Sequence, residues 1–223
     1  MCGRFSLTVP LEEIIEFFDL INGDELDYEI SYNIAPSQNV LSIVSDGTHN
    51  RGGYLRWGLV PFWADSPAIG YKMINARAET IDQKASFKNL IKRRRCLIVA
   101  DGFYEWKKDE KGNKRPYRMI RKNNGLMAFA GLWDRWEKGG TILHTCTIIT
   151  TRPNELMAEI HDRMPVILPE EKQKIWLDRT IEDVQFLKDL LQPYPTEDMI
   201  AYEVSSIVNS PKNNQEECIQ PLV

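Results

Sequence analysis

Four short segments of this 223-residue sequence carry side chains able to act on a substrate. The first is the N-terminus, Met1-Cys2-Gly3-Arg4-Phe5. Cysteine at position 2 is small enough to permit removal of the initiator methionine. That step leaves one residue bearing both an α-amine and a thiol. With an aldehyde, the amine adds to give a Schiff base and the thiol then closes a five-membered thiazolidine ring. An α-amine titrates near ~7.8 and a lysine near ~10.4, so roughly a tenth of the α-amine is free base at pH 7, against well under ~0.1% of a lysine. Taken alone, Cys2 reads as the second residue of a frayed terminus.

The second segment, Ile74 to Thr80, offers the short amide of Asn75 and the planar fork of Arg77, which suits a phosphate. By itself it also reads as a helix entry with ordinary surface polar residues. The third, Asp101 to Lys107, places Glu105 among aromatics after the apolar run Leu97–Ala100. Burial there raises a carboxyl pKa and suits it to proton transfer; an edge-strand glutamate paired with a nearby lysine is the plainer reading. In the fourth, Ile160 to Pro165, His161 can shuttle a proton near neutral pH, with Asp162 or a carbonyl fixing its tautomer. A satisfied core or capping histidine is the alternative. His49 and His144 are assigned no function.

The elements that must position these groups are short. Residues 10–21 read as an amphipathic helix, with Pro10 at a first helical position and Leu11, Ile14, Ile15 and Phe18 on one face. Strand-like runs follow at Val40–Val44, Tyr54–Trp57, Leu97–Ala100, Tyr117–Arg121, Leu126–Ala130, Ile142–Thr150 and Ile200–Val204. Turn signals at Asp46-Gly47, Lys111-Gly112-Asn113, Asn123-Asn124-Gly125 and Gly139-Gly140 punctuate them. Helical patterns recur at Ser86–Arg94, Pro153–Ile160, Pro169–Leu177 and Glu182–Leu191. The expectation is an α+β fold, one domain over residues 1–223, in which curved, mainly antiparallel sheets form a barrel-like core with helices outside.

Net charge is -4, unevenly spread: residues 1–50 carry -8 with Arg4 as their one basic residue, residues 51–150 carry +11, and residues 151–223 carry -7. A basic middle between acidic ends fits a polyanion-binding face; solvated surface explains it equally well. No apolar run reaches the ~18 residues of a membrane span, and the N-terminus lacks a signal-peptide core, so the reading places the protein in the cytoplasm without a membrane partner. Cys2, Cys96, Cys146 and Cys218 form no CxxC pair, which argues against a zinc site, and Cys96 and Cys146 read as buried thiols. Phosphate-binding glycine loops, G-x-S-x-G elbows and H-E-x-x-H pairs are absent, which removes the common nucleotide, serine-hydrolase and zinc-protease readings.

Five segments in order, Met1–Phe5, Trp57–Pro61, Ile74–Thr80, Asp101–Trp106 and Ile160–Pro165, together resemble the SRAP (SOS response-associated peptidase) family, and the tail from Lys212-Asn213 to Gln220-Pro221 resembles its C-termini. The resemblance implies loss of Met1 and capture of the ring-opened aldehyde of an abasic site by Cys2 as a thiazolidine. The DNA would be a single strand or a junction of single strand with duplex. It implies that Asn75 orients the amine or sugar, that Glu105 is the general acid/base, and that His161 assists proton transfer, including a strand-cleaving lyase side reaction. Arg4 and Arg77 would grip phosphates flanking the lesion. Asn33, Pro36 and Trp63 would line the groove, stacking being the way sequence-blind binders gain affinity, and Arg163 would join that face. Trp57 is read as core. The chemistry uses an amine, a thiol and proton transfers, so no cofactor and no metal is expected, and the protein is expected to act as a monomer of stand-alone bacterial type.

Two rivals stay open. A thiol peptidase can be drawn from Cys2, His161 and either Asn75 or Glu105, although such a nucleophile needs no free α-amine; removal of Met1 by the protein itself would reconcile the two. A non-catalytic single-stranded-DNA-binding protein explains the basic middle but not the four chemical residues.

Overall fold

The computed structural model describes residues 2–222. Met1, on which the expected methionine removal falls, and Val223 lie outside the described residues. In chain order the elements are β1 (Phe5–Leu7), α1 (Leu11–Phe18), β2 (Ser31–Ile34), β3 (Asn39–Ser45), β4 (Asn50–Trp57), β5 (Asn75–Arg77), α2 (Leu90–Arg93), β6 (Arg95–Ala100), β7 (Gly102–Lys108), β8 (Lys114–Arg121), β9 (Met127–Lys138), β10 (Thr141–Thr151), α3 (Glu155–Ala158), β11 (Met164–Pro165), α4 (Glu170–Leu177), α5 (Val184–Asp189) and β12 (Met199–Glu203).

Strands β10, β4, β3, β6 and β9 are hydrogen-bonded in that order, and β9 pairs back onto β10, closing a five-stranded barrel. Closure leaves these strands no free edge. All its pairings are antiparallel except β4 with β10. A second, wholly antiparallel sheet runs β12-β8-β7-β1-β2. This is the expected α+β arrangement. Every residue of β6 is buried, because it lies between β3 and β9 and α4 covers its outer side, where Trp176 Nε1 donates to the Cys96 carbonyl at 3.0 Å. Gly139 and Gly140 take φ of 58° and 79°, the left-handed pair that a two-residue turn between right-twisted strands requires, and they set Lys138 opposite Thr141.

The two sheets meet through aromatics. Phe5 lies 5.2 Å from Trp57 and 5.8 Å from Phe129 between ring centroids, and Phe103 lies 6.1 Å from Phe129. The first strand of the chain is therefore a wedge between barrel and second sheet, inside one contiguous apolar core. Trp57 is fully buried, as expected, and its Nε1 donates to the Ile74 carbonyl at 2.9 Å. Cys96 and Cys146 are buried free thiols.

The structure departs from the sequence reading in the small elements. Helix α1 starts after Pro10, which is its N-cap, and ends at Asp19 with φ of 51°. The helical pattern over Ser86–Arg94 yields only α2, since Phe87 and Leu90 close tight turns instead, their amides bonding to the Lys84 and Phe87 carbonyls at 2.9 Å each. Asn75–Arg77 is a strand parallel to β10 and not a helix entry. Glu105 lies in β7, between β1 and β8, so it is not on an edge strand. Among the described residues no helix is long and apolar enough to cross a membrane.

Candidate active site

Cys2 is wholly buried, not frayed. The cause is the anchoring of β1, the strand that follows it. Phe5 pairs with Ile34 on one side and Phe103 on the other. The carboxylate of Asp101, itself buried, accepts from Ser6 Oγ at 2.6 Å, from Thr8 N at 2.6 Å and from Thr8 Oγ1 at 2.5 Å. Its charge is met by Arg118 at 3.0 Å, in a pair shielded from water on both sides. Gly102 makes room for that guanidinium, since a Cβ there would lie 2.8 Å from Arg118 Nε.

Glu105 reaches the same interior from β7 and is 3% exposed. Burial pushes its carboxyl pKa up against the opposing pull of His161. His161 follows α3, its amide bonded to the Met157 carbonyl at 2.8 Å, and its Nε2 stands 3.8 Å from Glu105 Oε2. Its Nδ1 faces both the Arg163 amide at 3.1 Å and the Asp162 carboxylate at 3.0 Å. The amide can only donate, so in the neutral ring it takes Nδ1 as acceptor and leaves the proton on Nε2, toward Glu105.

The Cys2 thiol is pushed well above its ordinary range, first by burial and then by the Glu105 carboxylate. A thiol so held stays protonated, and its attack needs a neighbouring base. Glu105, with its raised affinity for protons, is placed to take and return them.

Asn75 stands on β5, one residue after the carbonyl that Trp57 holds. Both polar atoms of its side chain are buried with no hydrogen-bond partner among the described residues. A buried amide left this way is costly and calls for a function. The Ile160–Pro165 and Ile74–Thr80 segments are tied together by Arg163, which forks onto Glu79 at 2.7 and 2.9 Å and donates to the Thr150 carbonyl at 2.6 Å. Residue Thr150 of β10 has Arg77 opposite it on one side and Pro165 on the other.

Over residues 1–211 the sequence matches the protein family described as SOS response associated peptidase, SRAP. The chain belongs to the SRAP family. A Bacillus subtilis protein named abasic site processing protein YoqW is 54% identical over 222 residues, 99% of each chain. The Xenopus tropicalis abasic site processing protein HMCES is 34% identical over 267 aligned residues, covering all of this chain and 79% of its own length. Among solved structures, a Bacteroides thetaiotaomicron protein superposes with a TM-score of 0.87 at 28% identity, covering 100% of both chains.

In this SRAP chain the other residues assigned from sequence fall into two groups. Arg77 and Trp63 are exposed, Trp63 to 50%, and the Arg77 side chain makes no hydrogen bond among the described residues. Pro36 is half-buried, in a tight turn with Ser37 at φ of 76° and the Gln38 amide on the Ala35 carbonyl at 3.3 Å. Arg4, Asn33 and Arg163 are turned inward. Arg4 Nη1 donates to Asn33 Oδ1 at 2.8 Å and to the Val208 carbonyl at 2.5 Å, leaving 9% of the residue open. Asn33, expected to line the DNA groove, is 1% exposed, and its Nδ2 serves the Val208, Ser210 and Asn213 carbonyls at 3.2, 3.0 and 2.7 Å. With its amide so engaged it braces the C-terminal segment. Arg163, likewise expected on the DNA face, has its fork closed on Glu79.

Sequence reasoning missed the cleft these elements enclose. A space of about 550 Å³ is lined by Glu105, Trp106, Lys108, Lys114, His161 and Asn209. Lys108 and Lys114 belong to the basic stretch read from the sequence; nothing local marks Asn209, which reaches the cleft only because Asn33 and Arg4 hold its segment down. Phe62 and Tyr71, 66% and 65% exposed, stand with Trp63 on the loop between β4 and β5. The base of that loop is rigid, because Gly58, at φ of 129°, crosses Gly70 so closely that a Cβ would lie 2.7 Å from its carbonyl oxygen.

Proposed function

We propose that this protein processes abasic sites in single-stranded DNA, or at a junction of single strand with duplex, by joining the lesion covalently to Cys2 after removal of Met1. The α-amine of Cys2 adds to the C1′ aldehyde of the ring-opened deoxyribose, and water leaves as the imine forms. The Cys2 sulfur then bonds to the imine carbon, its proton passing to the ring nitrogen by way of Glu105, and the thiazolidine closes. The sum is loss of one water. His161 assists the transfers around the sugar, the same relay serving a lyase side reaction, and Asn75 supplies an amide to the amine or the sugar oxygen. Arg77 and the open edge of Arg4 take flanking phosphates, and Trp63 with Pro36 lines the path of the strand. No cofactor is needed, and the protein acts as a cytoplasmic monomer.

The observation that carries this reading is the burial of Cys2 beside Glu105, with His161 3.8 Å from that carboxylate. A second residue anchored in the core next to a proton-transfer pair is built for use. The relatives named as abasic site processing proteins support the choice of substrate. The peptidase alternative is the weaker reading on electrostatic grounds. A Cys–His protease depends on a thiol whose pKa is lowered, whereas burial and the Glu105 carboxylate push Cys2 upward.

Intact-protein mass spectrometry tests the proposal. Protein lacking Met1 should gain the mass of an abasic oligonucleotide minus one water, and Cys2→Ala should not. Processed protein that gains nothing overturns the crosslinking reading. Turnover of an unrelated peptide would put the peptidase in its place.

A further inference from the structure

Three side chains of the cleft take no part in the proposed chemistry. Lys108 and Lys114 stand directly opposite each other in the β7–β8 ladder, and both are exposed. Like charges so opposed destabilise a sheet, their Cβ atoms being only about 4.5–5.5 Å apart. The neighbouring rung repeats the pattern, Lys107 against Arg115, and there it is answered: Arg115 Nε donates to Glu203 at 2.7 Å. Lys108 and Lys114 have no such carboxylate among the described residues. The third side chain is Asn209. Trp106 Nε1 donates to Asn209 Oδ1 at 2.7 Å. An indole N–H can only donate, so the amide oxygen is fixed on Trp106 and the NH2 group points away from the indole. Arg4 stiffens this arrangement, lying 5.8 Å from the Trp106 ring centroid while holding the carbonyl of Val208, the neighbour of Asn209.

We propose that Lys108, Lys114 and the NH2 group of Asn209 form a phosphodiester subsite on the wall of the cleft beside Glu105 and His161, a reading that rests on the proposed crosslinking function. Two ammonium groups with no carboxylate at ion-pair distance among the described residues, together with an oriented neutral donor, are the complement of a phosphate oxygen pair. Lysines act as point charges that accept many approach angles, which suits binding to a backbone irrespective of base. The subsite would hold one backbone phosphate of the strand whose sugar lies at Cys2.

The test uses full-length protein carrying Cys2→Ala, so that binding of single-stranded DNA is read without the covalent step. Losing one neutralised phosphate should lower the salt slope by about 0.7. The double variant K108Q/K114Q empties this one phosphate contact and is therefore expected to lower the slope by about 0.7 and weaken binding roughly ten-fold at low salt. K108R/K114R should restore both, and K84Q/K88Q, which removes the same charge elsewhere on the surface, should leave both unchanged. Equal slopes for K108Q/K114Q and the parent overturn the subsite, as does a weakening that K84Q/K88Q reproduces. Crosslinking of an abasic oligonucleotide by protein with Cys2 intact is measured in parallel. Its absence would sink the crosslinking reading, while the salt slope still decides the subsite.

Discussion

Nε2 of His161 stands 3.8 Å from Oε2 of Glu105, although one residue follows a short helix outside the barrel and the other lies mid-strand in the second sheet. Glu105 is enclosed and holds its proton more tightly than an ordinary carboxylate, and the nearby imidazole opposes that shift. The result is a carboxyl of raised proton affinity next to a thiol that cannot ionise unaided.

Glu105→Gln should slow crosslinking by about 10²- to 10⁴-fold, the usual worth of a positioned general acid/base. Rates of SDS-stable adduct formation with an abasic oligonucleotide check this. A rate within two-fold of wild type would remove Glu105 from the mechanism.

The same substitution should act on stability in the opposite direction. A carboxyl whose pKa is raised on folding binds more protons in the folded state between its unfolded and folded pKa values, so stability falls as pH rises through that window. Gln carries no such charge. Glu105→Gln should therefore match wild type below the ordinary glutamate range and melt higher above the folded pKa, by about 2–4 °C for each kcal/mol recovered. Melting curves from pH 4 to pH 8 read the sign directly.

Asn75→Ala is expected to lose crosslinking without losing stability. Both its polar side-chain atoms are buried and unpartnered among the described residues, so truncation relieves a desolvation cost of about 1–3 kcal/mol. A clear drop in the denaturation midpoint would mean that the amide serves the fold.

Asn33→Ala should behave in the reverse way. Its amide joins Arg4 to three carbonyls of the C-terminal segment, and leaving those groups unmatched should cost about 2–4 kcal/mol. Chemical denaturation measures the loss. Limited proteolysis should show new cleavage between residues 205 and 219.

Asp101→Ala breaks a buried ion pair and three hydrogen bonds from Ser6 and Thr8, in and just after the strand that follows Cys2. A destabilisation of about 3–5 kcal/mol is expected, because Arg118 is left buried without its charge partner. Crosslinking at a temperature where the variant remains folded should also fall, since β1 loses its anchor; an unaltered rate there would show that Cys2 is held by other interactions.

The long strands and the glycine turns were legible because their signals are local. The run Leu97–Ala100 is apolar, Asp46-Gly47 and Gly139-Gly140 supply residues that tolerate left-handed backbone, and each lies where the sequence placed it. The chemical residues were legible as types and motifs: Cys2, Asn75, Glu105 and His161 each stand in a segment that the sequence alone singles out. The three-residue strands β1 and β5 were not, because a period of two cannot show itself over so few positions, and what holds them is pairing with partners distant in sequence. Their pairing decides that Cys2 is buried, that the polar atoms of Asn75 are buried without a partner among the described residues, and that Glu105 sits inside a sheet. Charge could be counted from sequence but not assigned. Whether an arginine meets a phosphate or a carbonyl depends on which groups the fold brings within about 3 Å. The fold gave Arg4, Asn33 and Arg163 to internal partners, and left Arg77, Lys108 and Lys114 facing solvent. Residue type and local spacing thus determined the chemistry available to this protein, and long-range pairing of short strands decided which of those groups stand together.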